Sequence, residues 1–170
     1  REERLFCDGW MFHRGDIRPT PPRHKMISYQ GAKTERARVP YHYVTDGTQF
    51  PTEEKEYTSE DWEKVTLPHD YLAGDGYDPA CSAALGFCKY DNGWYVKRFD
   101  VPAGDEGKRL TLLFEGVTGH ATVTLNGCLM KHNFCGYTPF EVDITDMVKY
   151  GAENSLAVFV DMTEHEGWWY

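Results

Sequence analysis

A chain of 170 residues is the size of one domain and is long enough to bury a core without disulfide staples. Lys and Arg total 18 against 27 Asp and Glu, and the resulting net charge of -9 opposes a phosphate backbone, which excludes nucleic acid as a natural partner. No apolar run approaches the ~20 residues of a membrane-spanning helix and no basic amphipathic stretch suits a membrane surface. The start, Arg1-Glu2-Glu3-Arg4, has neither an initiator Met nor the apolar centre of a signal peptide and reads as a processed or excised beginning, with a cytoplasmic origin expected over a periplasmic or secreted one.

Leu5 to His13 mixes Phe6, Trp10 and Phe12 with polar residues and predicts an opening strand. From Gly15 to Thr58 the pattern degrades. Pro19, Pro21, Pro22, Pro40 and Pro51 punctuate it, and proline removes a backbone donor and clashes with the preceding turn, so helix is excluded over most of this stretch. The segment 15–58 is expected to be an irregular arm or long loop within a single domain spanning 1–170, with Val39 to Val44 as a short strand inside it. Glu53-Glu54-Lys55-Glu56 reads as a solvated surface.

Regular patterning returns at Trp62-Glu63-Lys64-Val65-Thr66-Leu67, a strand stopped by Pro68, and a small, polar loop follows from Ala73 to Gly86. Strands are then predicted over Gly93 to Val101, Lys108 to Phe114 and His120 to Leu125, where apolar and polar residues alternate with the period of two of a half-buried strand. Asn126-Gly127 is the strongest local signal, because both residues accept positive φ and together suit a type I′ turn into a return strand from Cys128 to Phe134. One short helix is expected after Asp143, with Asp143 as cap, Asp146 in its first turn, Lys149 in its last and Gly151 in the left-handed position beyond it. Ser155 to Asp161 closes the set of strands.

Strands joined by short turns, with one small helix, define an all-β chain, and two packed antiparallel sheets in a β-sandwich or jelly roll bury such strands. Cys7, Cys81, Cys88, Cys128 and Cys135 form an odd set without a C-x-x-C pair. The cluster Cys128, His132 and Cys135 therefore reads as partly buried free thiols rather than a metal site. The aromatic content of 15% suits core, with a surplus for stacking on sugar rings or for a domain interface.

Specific strings then carry a resemblance. They are Asp8-Gly9-Trp10 with Phe12-His13, and Trp62 followed by Val65-Thr66-Leu67-Pro68-His69-Asp70, with Tyr71 where the pattern has Trp. Gly93-Trp94-Tyr95 leads to Lys97-Arg98-Phe99, and Phe114-Glu115-Gly116-Val117 precedes Ala121, Val123 and Leu125-Asn126-Gly127. Gly136-Tyr137-Thr138-Pro139-Phe140 with Asp143-Ile144-Thr145, then Leu156-Ala157-Val158 with Val160-Asp161, and finally Trp168-Trp169-Tyr170, complete the order. In this order the strings resemble the N-terminal sugar-binding domain of family 2 glycoside hydrolases, the β-galactosidase and β-glucuronidase group, and suggest a β-galactosidase parent over a β-glucuronidase or β-mannosidase one.

The resemblance implies a galactose-binding-like jelly roll, followed in the parent by an immunoglobulin-like domain and a (β/α)₈ barrel. The barrel would carry an acid/base and a nucleophile glutamate about 5–5.5 Å apart, as retention requires. The chain is expected to stop before that barrel, so no acidic residue here is assigned a catalytic role. The resemblance further implies a β-galactoside-type carbohydrate and the remaining domains of its own polypeptide as partners, and a homo-oligomeric parent. Mg²⁺ or Na⁺ belongs to the parent; no cofactor or metal constellation is read in this chain.

Five residues are candidate substrate contacts. His69 and Asp70 follow a strand and would sit at the rim of an active site. The competing reading, preferred here, is a loop clamp in which Asp70 accepts backbone N–H groups and a neighbour orients His69. Trp168, Trp169 and Glu166 would approach the barrel mouth. Trp168 stands where some relatives place an acidic residue, and an indole stacks on a ring face or donates one bond, so Glu166 or His165 would supply the missing polar group; packing against further domains is the alternative. Trp94 and Tyr95 read as core, Tyr137 and Phe140 as fold-fixing corner residues. Three functions remain: a non-catalytic subdomain of a glycosidase, a free-standing carbohydrate-binding module, and a pure interaction domain. The first is preferred, because the strings are a family's rather than a lone aromatic platform.

Overall fold

The computed structural model describes residues 2–15, 62–81, 83 and 86–162. The expected strand from Val39 to Val44 and the irregular stretch beyond Gly15 lie outside them, as do Glu53 to Glu56 and all residues after Met162. Eight strands run in chain order among the described residues: β1 (Trp10–Arg14), β2 (Glu63–Val65), β3 (Gly93–Val101), β4 (Thr111–Phe114), β5 (His120–Leu125), β6 (Cys128–Asn133), β7 (Phe140–Asp143) and β8 (Ala152–Asp161). Six form one antiparallel sheet in the order β2-β1-β3-β8-β5-β6, and β4 pairs with β7 in a second, so the two-sheet all-β expectation holds.

The alternation read in the sequence sorts these strands onto two faces. Tyr95 and Val101 of β3, Ala121, Val123 and Leu125 of β5, and Leu156, Val158 and Val160 of β8 join the main core, which β7 closes with Phe140 and Val142. The residues between them, Trp94 and Val96 of β3 and Ala157 and Phe159 of β8, form a smaller cluster on the opposite face with Met11 and Trp62. Trp94 and Tyr95 are both buried, each on its own side of the sheet. A slip of one residue would exchange the two sets, which is why the long β3·β8 register is strongly specified.

Several boundaries differ from expectation for local reasons. The opening strand begins at Trp10 rather than Leu5, because Gly9 sits at φ 71° and turns the chain out of the strand. The strand expected over Trp62–Leu67 contracts to β2, and the one expected from Lys108 begins at Thr111. Asn126 and Gly127 take φ of 51° and 81°, which gives the tight hairpin between β5 and β6 that their chemistry predicts. Strand β7 was not anticipated as a strand, since four residues are too few to show a period. Tyr137, expected to fix a corner, is instead 66% exposed, while Phe140 is buried and stacked on Phe114 at 4.7 Å.

The helix expected after Asp143 is a single turn. Asp143 does begin it, its Oδ1 accepting from the N–H of Thr145 at 3.1 Å, and the N–H groups of Met147 and Val148 both reach the Ile144 carbonyl. A second turn needs the Lys149 N–H on the Thr145 carbonyl. The buried Asn154 takes that N–H at 2.7 Å, and the Tyr150 hydroxyl donates to the Thr145 carbonyl at 3.0 Å. A tertiary side chain thus outbids the local helix signal; Gly151, at φ 72°, keeps the left-handed role expected of it.

Candidate functional site

One end of the six-stranded sheet gathers the C-terminal end of β1, the N-terminal ends of β3 and β5, and the C-terminal end of β8. Between β2 and β3, Leu67, Tyr71, Leu72 and Tyr90 pack onto the main core from the inner face. The floor there is aromatic: Phe12 and Tyr95, partners across β1 and β3, lie 4.8 Å apart, and Tyr71 packs on Phe12 at 4.9 Å. Gly93 leaves room for this arrangement: a Cβ there would lie 3.0 Å from Phe12 Cε2 and 3.3 Å from the Tyr71 ring, so one of the rings would have to shift.

His69 sits edge-on to Phe12 at 4.8 Å, and its Nδ1 pairs with the Tyr95 hydroxyl at 2.9 Å. Asp70 uses Oδ1 to accept from the N–H groups of Leu72 (2.9 Å) and Ala73 (3.1 Å). Both residues therefore have the geometry of a loop clamp, with a partner orienting the imidazole and the carboxylate tying the next turn. Asp70 is nevertheless exposed, and its second oxygen makes no hydrogen bond among the described residues. The clamp thus presents a fixed carboxylate oxygen at the surface, beside a half-buried imidazole.

Sequence reasoning missed the residue that holds the rest of this loop. Arg14, at the end of β1, donates Nε to Asp91 at 3.0 Å, pairs through NH2 with Asp75, and reaches the Lys89 carbonyl at 3.4 Å. Its guanidinium also lies 5.8 Å from the centre of the Tyr71 ring, and the Tyr71 hydroxyl donates to the Asp91 carbonyl at 2.7 Å. A guanidinium fork suits such multiple contacts in a way an ammonium does not. Its hydrogen bond holds the Asp75 carboxyl below the ordinary carboxylate range, and burial pushes the Tyr71 and Tyr95 phenols well above theirs. Nothing in the sequence separates Arg14 from a solvated strand-end charge, since its partners lie 61 and 77 residues away.

The remaining candidates, Glu166, Trp168 and Trp169, and with them His165, lie outside the described residues. The chain does leave β8 at this end: the Met162 N–H donates to Asn92 Oδ1 at 2.9 Å, and the Asn92 carbonyl accepts from Gly15 N at 2.6 Å. Among the described residues no three His, Cys, Asp or Glu side chains come together in a group that could hold a metal ion, and the five cysteines are free thiols.

The profile of the domain described as glycosyl hydrolase 2 galactose-binding domain-like matches residues 66–168, more than half of the chain. The chain belongs to glycosyl hydrolase family 2. Among relatives, a β-glucuronidase of Formosa agariphila is 30% identical over 141 residues, which cover 75% of this chain and 14% of the relative. A β-galactosidase of Thermoanaerobacter pseudethanolicus is 39% identical over 102 residues, 59% of this chain and 12% of the relative. Among solved structures, a β-glycosidase from Bacteroides vulgatus superposes with a TM-score of 0.67 at 26% identity, covering 97% of this chain and 18% of that one. The family 2 chain described here thus spans less than a fifth of the length of these relatives.

Proposed function

We propose that this family 2 domain is a non-catalytic wall of a retaining β-glycosidase, shaping access to terminal β-linked sugars and docking on the remaining domains of its own polypeptide. The observation that carries the reading is the braced loop bearing His69 and Asp70. An aromatic floor of Phe12, Tyr71 and Tyr95 and the Arg14 tether hold one carboxylate oxygen at the surface, a preorganised acceptor for a sugar hydroxyl. Such an edge binds and orients. Cleaving a glycosidic bond with retention requires an acid and a nucleophile across the bond, about 5–5.5 Å apart, and in this reading both reside elsewhere in the polypeptide. Any requirement for Mg²⁺ or Na⁺, and any oligomeric interface, belongs there too.

The substrate of this reading is a β-galactoside, supported by the 39% identity to a β-galactosidase over 102 residues. A β-glucuronide is the second reading, favoured by the longer match to a β-glucuronidase, 75% of this chain. Hydrolysis of aryl β-D-galactoside and aryl β-D-glucuronide by the 170-residue chain and by the longer parent polypeptide tests both. Turnover is expected from the longer polypeptide alone, faster on the galactoside, with Asp70→Ala raising KM. Release of either sugar by the short chain at an enzyme-like rate would refute the division of labour, and faster turnover of the glucuronide would install the second reading.

A further inference from the structure

Tyr95 has the pattern of a core residue, and its ring is one: it is buried in β3, held in register between Phe12 of β1 and Val158 of β8. Its hydroxyl has a second role. Among the described residues it meets a single hydrogen-bonding group, His69 Nδ1 at 2.9 Å. A phenol carries one proton, and a neutral imidazole carries one on either of its two nitrogens, so two arrangements are open. In the first, the Tyr95 O–H donates to Nδ1 and the imidazole proton sits on Nε2. In the second, Nδ1–H donates to the Tyr95 oxygen and the phenol proton is left without an acceptor.

The second arrangement strands a buried donor, whereas the first satisfies both groups, so the first prevails. Burial also pushes the Tyr95 phenol above its ordinary range, which keeps the proton on the oxygen that must donate it. The imidazole is held in place by rings. Phe12 at 4.8 Å and 67° and Tyr95 at 5.7 Å and 74° meet it edge-on, and Tyr71 lies tilted to it at 6.4 Å. Nε2, across the half-buried ring from Nδ1, makes no hydrogen bond among the described residues. A nitrogen in that state donates and cannot accept. The next residue, Asp70, offers the reverse, a carboxylate oxygen that accepts and cannot donate. One fixed donor and one fixed acceptor suit hydroxyl groups, which do both.

We propose that Tyr95 is a positioning residue that sets the hydrogen-bond polarity of the candidate site: its hydroxyl donates to His69 Nδ1 and fixes the imidazole as the Nε2–H tautomer, a donor to a hydroxyl oxygen of the bound sugar. The choice of a sugar rests on the proposed function; the tautomer does not.

Long-range proton–nitrogen NMR of the imidazoles in the 170-residue chain, at about pH 8.5 where an ordinary imidazole is neutral, reads the tautomer. His69, assigned by the loss of its signals in His69→Gln, should show a protonated Nε2 and an unprotonated, hydrogen-bonded Nδ1. In Tyr95→Phe the Nδ1 signal should move to that of a free ring nitrogen. Hydrolysis of an aryl β-D-galactoside or β-D-glucuronide by the longer polypeptide reads the donor. Tyr95→Phe should raise KM about threefold, the effect of loosening one neutral hydrogen bond, with kcat within about twofold of its native value. His69→Gln, whose amide still donates, should lie nearer the native KM than His69→Leu, which has no donor. This pair keeps the test decisive should Tyr95→Phe fail to fold. A protonated Nδ1 or an even mixture of tautomers in the native chain would overturn the inference, as would a native KM in His69→Leu. Activity of the longer polypeptide with Nδ1 protonated removes this inference alone; an inert longer polypeptide removes the sugar together with the proposed function and leaves the tautomer standing.

Discussion

Asn154 is the most exacting place to test how this domain holds its shape. The side chain is 1% exposed and every polar atom of it is used. Oδ1 accepts from Lys149 N at 2.7 Å and Asn126 Nδ2 at 2.9 Å, while Nδ2 donates to the carbonyls of Lys149 and Ala152, both at 3.0 Å. Asn154→Ala leaves four groups without this partner, and an orphaned buried group costs about 1–3 kcal/mol. Lys149 and Ala152 are exposed residues, so water recovers part of that loss, and a net destabilisation of about 3 kcal/mol is expected. With a urea slope of about 2 kcal/mol/M, the unfolding midpoint should fall by about 1.5 M. Asn154→Asp should be at least as damaging at neutral pH, because a carboxylate would face the two carbonyls to which Nδ2 now donates, and should recover in acid when the group is protonated. Glu153→Ala is the control: Glu153 is an exposed residue whose carboxylate pairs with Arg98, so its loss should cost under about 0.5 kcal/mol. A midpoint shift in Asn154→Ala no larger than that of Glu153→Ala would refute this account of the turn, and with it the reason given for the missing helix.

Arg14→Ala should leave the strands in place but free the loop from Leu72 to Lys89, seen as faster cleavage there by a protease at low concentration; Arg14→Lys should rescue only partly, since an ammonium cannot serve both carboxylates in fork geometry. Cys135 is exposed, and hydrogen bonds from the Thr138 hydroxyl and the N–H groups of Tyr137 and Thr138 pull its thiol below the ordinary cysteine range. Iodoacetamide near neutral pH should therefore alkylate it ahead of Cys128, which is also exposed, and Thr138→Val should slow the reaction, both read by peptide mass mapping. Burial and the neighbouring His120 hold His132 below the ordinary imidazole value, with Asp161 opposing. The unfolded chain then binds the extra proton first, so the contribution of His132 to stability is full above about pH 6.5 and is lost as pH falls toward the folded value. His132→Gln should flatten the dependence of the urea midpoint on pH over that window.

Much of the fold was legible because its signals are local. Alternation along Gly93–Val101, His120–Leu125 and Ser155–Asp161 names the inward residues, and Asn126-Gly127 can hardly be anything but a tight turn. The clamp chemistry of Asp70 is equally local, since its partners are two and three residues on. The failures share the opposite property. Whether residues 143–151 make a helix is decided by Asn154, and the close packing of Gly136 on Thr118 and Gly119 joins segments that no local pattern relates.

By itself, then, the order of residues determined which segments are strands, which of their faces is apolar and where the chain must reverse, because propensity, period and positive φ act within a few residues. Tertiary structure alone decided that Arg14 braces a loop through Asp75 and Asp91, and that His120 and His132 converge on one phenylalanine. Those contacts come from sheet register, which brings distant side chains within hydrogen-bonding and stacking range and leaves no periodic trace in the sequence.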